Sequence, residues 1–139
     1  MKVIPYIDAR IAAGFPSPAN DYLEKRIDLN EAFVTHPLST FLVSTQGNSM
    51  NAAFIPDKSK LLVDKSLSPK NGDIVVAVCD GEFTVKFIEL SVKGCRLLPA
   101  NINYQPIEIT SEMQFQVWGV VVMIFIDPKD VKHVCPGRL

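Results

Sequence analysis

Residues 73–90 read D-I-V-V-A-V-C-D-G-E-F-T-V-K-F-I-E-L. Two runs rich in β-branched and aromatic residues, 73–79 and 82–90, flank an Asp80-Gly81 pair. Such residues fit a pleated, half-buried surface. Asp-Gly between two such runs is a strong hairpin signal, because a type I′ turn needs positive φ at both central positions. The stretch therefore predicts an antiparallel hairpin. Alternation in its second arm sends Phe83, Val85 and Phe87 to one face and Thr84, Lys86 and Ile88 to the other.

Further strands are expected on both sides of this hairpin. They are F-L-V-S-T (41–45), K-L-L-V-D (60–64), C-R-L-L-P (95–99), P-I-E-I-T (106–110) and residues 115–126. Turn signals at 70–73, 93–95 and 100–103 separate them. Residues 21–35 hold the best helical material. D-L-N-E (28–31) fits a capping box with Asp28 as N-cap, and His36-Pro37 ends any helix. Residues 1–20 are broken by Pro5, Pro16 and Pro18 and read as an N-terminal arm. The expected fold is mostly β: a compact barrel or sandwich over residues 21–139, with little helix and a flexible arm over 1–20.

Bulk properties narrow the function. The 139 residues suffice for one core without disulfide or metal staples. A net charge of −1 supplies no field for nucleic acid, so direct sequence-specific binding to it is not expected. Lys58, Lys60, Lys65 and Lys70 are interleaved with Asp57, Asp64 and Asp73 and read as a solvated face. Cys79, Cys95 and Cys135 are odd in number and lack C-x-x-C spacing, which argues against a disulfide framework or zinc site and for a reducing cytoplasm. His133-x-Cys135 would need metal ligands from elsewhere. The longest apolar run, residues 117–126, is too short to span a bilayer, and the N-terminus does not read as a signal peptide. No cofactor, metal or membrane association is expected.

Two residues raise a chemical question. Ser49 sits in T-Q-G-N-S-M-N (45–51), a Gly/Asn-rich break after a β-like run. It is either a turn residue or a nucleophile on a tight bend. Lys86 is either a solvated hairpin lysine or, beside Ile88 and Leu90, an amine that has lost hydration. Desolvation disfavours the ammonium, and a neutral amine can take a proton from a serine hydroxyl. Half-neutrality near pH 7 needs a drop of about three pKa units, roughly 4 kcal/mol, which only a buried lysine can reach. Other nucleophile systems fit worse. His36 precedes Pro37 in a loop, His133 lies in a Pro/Gly-containing tail, and Cys79 closes an apolar strand. Asp64 with Asp73, or Glu82 with Glu89, are strand-end carboxylates of the kind that is usually solvated.

Several segments together resemble the UmuD proteins, relatives of the self-cleaving C-terminal domain of the LexA repressor (peptidase family S24). They are G-F-P-S-P-A-N-D-Y (14–22), K-R-I-D-L-N (25–30), G-N-S-M (47–50), L-L-V-D (61–64), N-G-D-I-V-V-A (71–77), D-G-E-F-T-V-K (80–86), Y-Q-P-I (104–107) and V-W-G-V-V (117–121). The resemblance covers roughly residues 12–126. It implies a LexA/UmuD-like domain with a serine–lysine dyad, Ser49 as nucleophile and Lys86 as general base. It implies an oxyanion hole from the backbone N–H groups of Asn48 and Ser49, and self-cleavage between Ala13 and Gly14. It further implies a homodimer in the SOS response to DNA damage. A RecA filament on single-stranded DNA would stimulate cleavage. The shortened form would join UmuC, a Y-family polymerase, in error-prone translesion synthesis.

The chain departs from the family pattern in places. Asn48 stands where Asp is common, Ala13 where UmuD proteins often have Cys, and the segment before the cut is only 13 residues long. F-I-P-D-K-S-K (54–60) lacks the usual glycine-and-acid pattern, and no helix-turn-helix precedes the cleavage segment, so a LexA-type repressor is not expected. Two other functions remain open on the sequence: a non-catalytic regulatory binding subunit on the same scaffold, and a signal-peptidase-like enzyme acting in trans.

Overall fold

The structure is a computed structural model and describes residues 2–8, 23–47, 49–50, 53 and 55–131. In chain order its strands are β1 (Ile4–Asp8), β2 (Leu23–Ile27), β3 (Thr40–Ser44), β4 (Lys60–Asp64), β5 (Ile74–Cys79), β6 (Glu82–Ser91), β7 (Gly94–Leu98), β8 (Ile107–Glu108) and β9 (Phe115–Phe125). One short helix, α1 (Leu29–Phe33), follows β2, and a 3-10 turn spans Pro128–Asp130. The fold is mostly β, and each strand expected between residues 41 and 126 is present.

The chain divides into two units, Met1–Pro37 and Leu38–Leu139. In the first, β1 and β2 pair antiparallel, from Ile4↔Ile27 to Asp8↔Leu23. Part of the expected arm is thus a strand. Pro5 hid it, because a proline removes a ladder donor and is tolerated mainly where one side of a strand is unpaired. The helical expectation for 21–35 holds only for α1. Asp28 caps it as expected: its carboxylate accepts the Asn30 N–H at 2.9 Å.

The second unit is one seven-stranded antiparallel sheet in the order β3-β4-β9-β5-β6-β7-β8. The β5–β6 hairpin forms around Asp80 (φ 49°) and Gly81 (φ 85°), the left-handed pair that its sequence demands. Both faces of β5 are covered, which explains its unbroken apolar run. Val76 packs with Met50, Ile55, Leu61 and Val63; Val75 and Ala77 pack on the opposite face with Ile88, Leu97 and Val120.

β9 carries two irregularities. Against β5 its register skips Trp118, since Val76 pairs with Gly119 and Ala77 with Val117. Against β4 it skips Val122, since Val63 pairs with Val121 and Leu62 with Met123. A bulge bends its strand and re-aims the extra side chain. Gly119 beside the first bulge is needed for space: a Cβ there would stand 2.5 Å from Val63 Cγ1.

The expectation of solvated carboxylates fails for Asp64. It is buried and accepts hydrogen bonds from the Ser39 hydroxyl (2.9 Å) and from the Ser66 N–H and hydroxyl (2.9 and 2.7 Å). Three donors offset its lost hydration, so its role is structural. Glu89 instead meets Arg96 at 2.7 Å on the surface. Lys58, Lys60, Lys65 and Lys70 are exposed. Among the described residues no helix is long and apolar enough to cross a membrane, and no three His, Cys, Asp or Glu side chains gather as a metal site requires. His133 and Cys135 lie outside the described residues.

Candidate active site

Ser49 stands on a loop that is tied down at several points. The β3–β4 ladder continues past the strand ends through Thr45 N–H to Ser59 C=O (2.8 Å) and Lys58 N–H to Thr45 C=O (3.2 Å). Gly47 then turns the chain with φ 94°, a conformation L side chains resist, and its N–H donates to Asp57 at 2.9 Å. Beyond Ser49, Met50 is plugged into the core and its carbonyl accepts from the Ala53 and Ile55 N–H groups (3.0 and 3.1 Å). The Ser49 carbonyl accepts the Ala100 N–H at 2.8 Å. The chain is therefore held at Gly47, Ser49 and Met50, and Ser49 itself is half-buried.

Lys86 comes from the middle of β6, opposite Val75. It is only 8% exposed, so the solvated-hairpin alternative is excluded. Its neighbour Ile88 is buried, whereas Leu90 lies on the surface. The Lys86 Nζ donates to Ser49 Oγ (2.9 Å), Thr84 Oγ1 (2.7 Å) and Val85 O (3.2 Å). Burial pushes the amine below its ordinary pKa, with a smaller opposing influence from Cys79.

The three partners differ in kind. Val85 O can only accept, so it holds an N–H in either protonation state. The hydroxyls of Ser49 and Thr84 can donate or accept. A neutral amine has two N–H groups and one lone pair. With Thr84 and Val85 taking the N–H groups, the lone pair is left for the Ser49 hydroxyl. The arrangement can carry a proton between a serine oxygen and a lysine nitrogen.

Ser49 and Lys86, which are 37 residues apart in sequence, are thus brought together. Asn48, Ala13 and Gly14 lie outside the described residues. His36 belongs to the first unit and is exposed. Cys79 and Cys95 are half-buried thiols. Burial and then Asp80 push Cys79 up while Lys86 acts the other way, and burial then Cys79 push Cys95 up, which suits neither to nucleophilic work.

A cleft of about 550 Å³ opens over the pair, with Val43, Met50, Phe83, Val85 and Trp118 among its lining. Sequence inspection missed Thr84, Phe83 and Trp118 as parts of the site. Thr84 could have been found from its i−2 spacing to Lys86, which puts both on one strand face. For Trp118 the signal was the glycine that follows it in an apolar strand, a frequent mark of a bulge.

Comparison with known proteins identifies the family. The family model described as Peptidase S24-like matches residues 5–122. Protein MucA of Salmonella typhimurium is 39% identical over 125 residues, covering 89% of this chain and 85% of MucA. Protein SamA of Salmonella typhimurium strain LT2 is 43% identical over 117 residues, covering 84% of this chain and 81% of SamA. The LexA repressor of Alcanivorax borkumensis is 37% identical over 120 residues, covering 86% of this chain and 57% of the repressor. The chain therefore belongs to the S24-like peptidase family, alongside the UmuD-type proteins whose motifs it shares.

Proposed function

We propose that this chain is a serine peptidase that cuts its own Ala13–Gly14 bond with Ser49 as nucleophile and Lys86 as general base. The observation that carries this reading is a buried amine 2.9 Å from a serine hydroxyl. Neutral Lys86 accepts the Ser49 proton while Oγ attacks the Ala13 carbonyl carbon. Backbone N–H groups of Asn48 and Ser49 stabilise the oxyanion, usually the largest catalytic contribution. The C–N bond breaks, and the Lys86 ammonium returns its proton to the Gly14 nitrogen. An ester between Ser49 and Ala13 remains. Lys86 then deprotonates a water, which attacks the ester and frees the Ala13 carboxyl group and Ser49. One water is consumed for each peptide bond cut.

Ala12, Ala13 and Gly14 have side chains small enough to enter the cleft, and the tethered segment needs no separate binding step. The resemblance to UmuD proteins supports the setting: a cytoplasmic homodimer of the SOS response, stimulated by RecA filaments. Its processed form would serve a UmuC-type Y-family polymerase in translesion synthesis. The activator need only favour the docked state of the cleavage segment.

The test is incubation of the pure protein with and without RecA filaments, followed by mass measurement. A 14–139 fragment that grows faster with filaments is expected, and neither Ser49→Ala nor Lys86→Ala should yield it. No fragment under any condition would favour the non-catalytic regulatory subunit. Normal processing of either variant would remove the dyad.

A further inference from the structure

The cleft beside Ser49 and Lys86 has one aromatic wall. The bulge in β9 places Trp118 between Phe41, at 5.4 Å, and Phe83, at 5.9 Å and edge-on. Lys65 Nζ stands 4.8 Å from the Trp118 ring centroid. Phe83 lines the cleft yet remains 66% exposed. With Phe41, 44% exposed, on the other contact of Trp118, the rings form a contiguous apolar patch rather than one isolated exposed side chain, and such patches mark binding sites.

The residues at the proposed cut cannot supply it. Ala12, Ala13 and Gly14 have almost no side chain to cover such a wall, and the cleft of about 550 Å³ is far larger than they are. Phe15 is the aromatic residue nearest the bond. In an extended segment, residues two apart share a face, so Phe15 and Ile11 point the same way as Ala13. Pro16 biases Phe15 towards that extended conformation. Of the two, only Phe15 offers a ring for the edge-to-face contacts that Phe83 and Trp118 favour.

We propose that the Phe83–Trp118 wall is the subsite that receives Phe15, so that ring packing sets the position of the cut. The proposal rests on the self-cleavage reading above and names the side chain that the site selects. Phe15 lies in residues 9–22, the 14-residue connection between Asp8 and Leu23, outside the described residues.

The test measures self-cleavage of the full chain at raised pH. Phe15→Ala and Phe83→Ala should each slow it by about 10- to 100-fold, as loss of a buried aromatic contact predicts. Phe15→Tyr and Ile11→Ala should stay near the wild-type rate. The Phe15→Ala/Phe83→Ala double variant should be no slower than the slower single variant, because both remove the same contact. The proposal is overturned if Phe15→Ala cleaves normally, if the two effects multiply, or if Ile11→Ala carries the loss instead.

A second readout does not depend on cleavage. Trp118 is the chain's one tryptophan. In a Ser49→Ala background, adding Phe15→Ala should shift its emission, and identical spectra would overturn the proposal. If the wild type is never cut, the self-cleavage reading fails, and the emission comparison still decides whether Phe15 reaches the wall.

Discussion

In the proposed mechanism Lys86 is the base, and its environment sets a pH dependence with a definite sign. Burial favours the neutral amine, so its pKa lies below the ordinary lysine value. Deprotonation creates the base, so self-cleavage should rise about tenfold per pH unit while the ammonium predominates. It should level off before the range where an exposed lysine titrates; a profile flat from neutral pH to 10 would contradict this. Folding follows the same sign. The unfolded chain holds this proton more tightly, so stability gains from this residue as pH rises towards the ordinary lysine value. Thr84 offers a sharper check. Its hydroxyl accepts from Lys86 at 2.7 Å and favours the charged form. Thr84→Val should move the midpoint of the pH profile lower and reduce the plateau, since the lone pair is then less well aimed. A merely structural Thr84 would leave the midpoint in place. The alternation of β6 made the face of Lys86 legible in the sequence, but not its burial. Burial depends on the loop carrying Ser49 and Met50, which arrives from 37 residues away. Asp64 shows the same limit: nothing local announces that Ser39 will reach it from 25 residues upstream.

The strands were legible wherever the pattern was local. The Asp80-Gly81 turn and the apolar run of β5 follow from turn chemistry and from cover on both faces. The irregularities were not legible, because a bulge exists only relative to a partner strand. Trp118 owes its place in the cleft to such a bulge, and Gly119 permits it. Val63 is fully buried and β-branched, so it cannot swing away from a new methyl group at 119. Gly119→Ala should therefore destabilise the fold by about 1–3 kcal/mol. Urea unfolding would show this as a lower midpoint with an unchanged slope. An unaltered midpoint would mean that β9 slides freely past β4. β1 escaped notice for a different reason: Pro5 argues against a strand in the middle of a sheet, whereas β1 belongs to a two-stranded ribbon.

At the scale of the molecule, the proposed reading puts enzyme and substrate in one chain. Gly14→Glu places a charged side chain at the cut and should block processing while leaving the fold intact, as circular dichroism would show; an unchanged rate would move the scissile bond elsewhere. The pairing of β1 with β2 then separates two events. The proposed cut falls between Asp8 and Leu23, which themselves close a ladder of five paired positions. Hydrolysis there would by itself leave a nicked molecule, one water heavier than before and still in one piece. Residues 1–13 would depart only when that ribbon melts. Severing the tether makes this possible, because a two-stranded ribbon is marginal and the strand no longer benefits from a high effective concentration. Denaturing gels would thus time the chemistry, and native mass measurements would time the departure. The interval between them is the lifetime of a spent enzyme still wearing its own product.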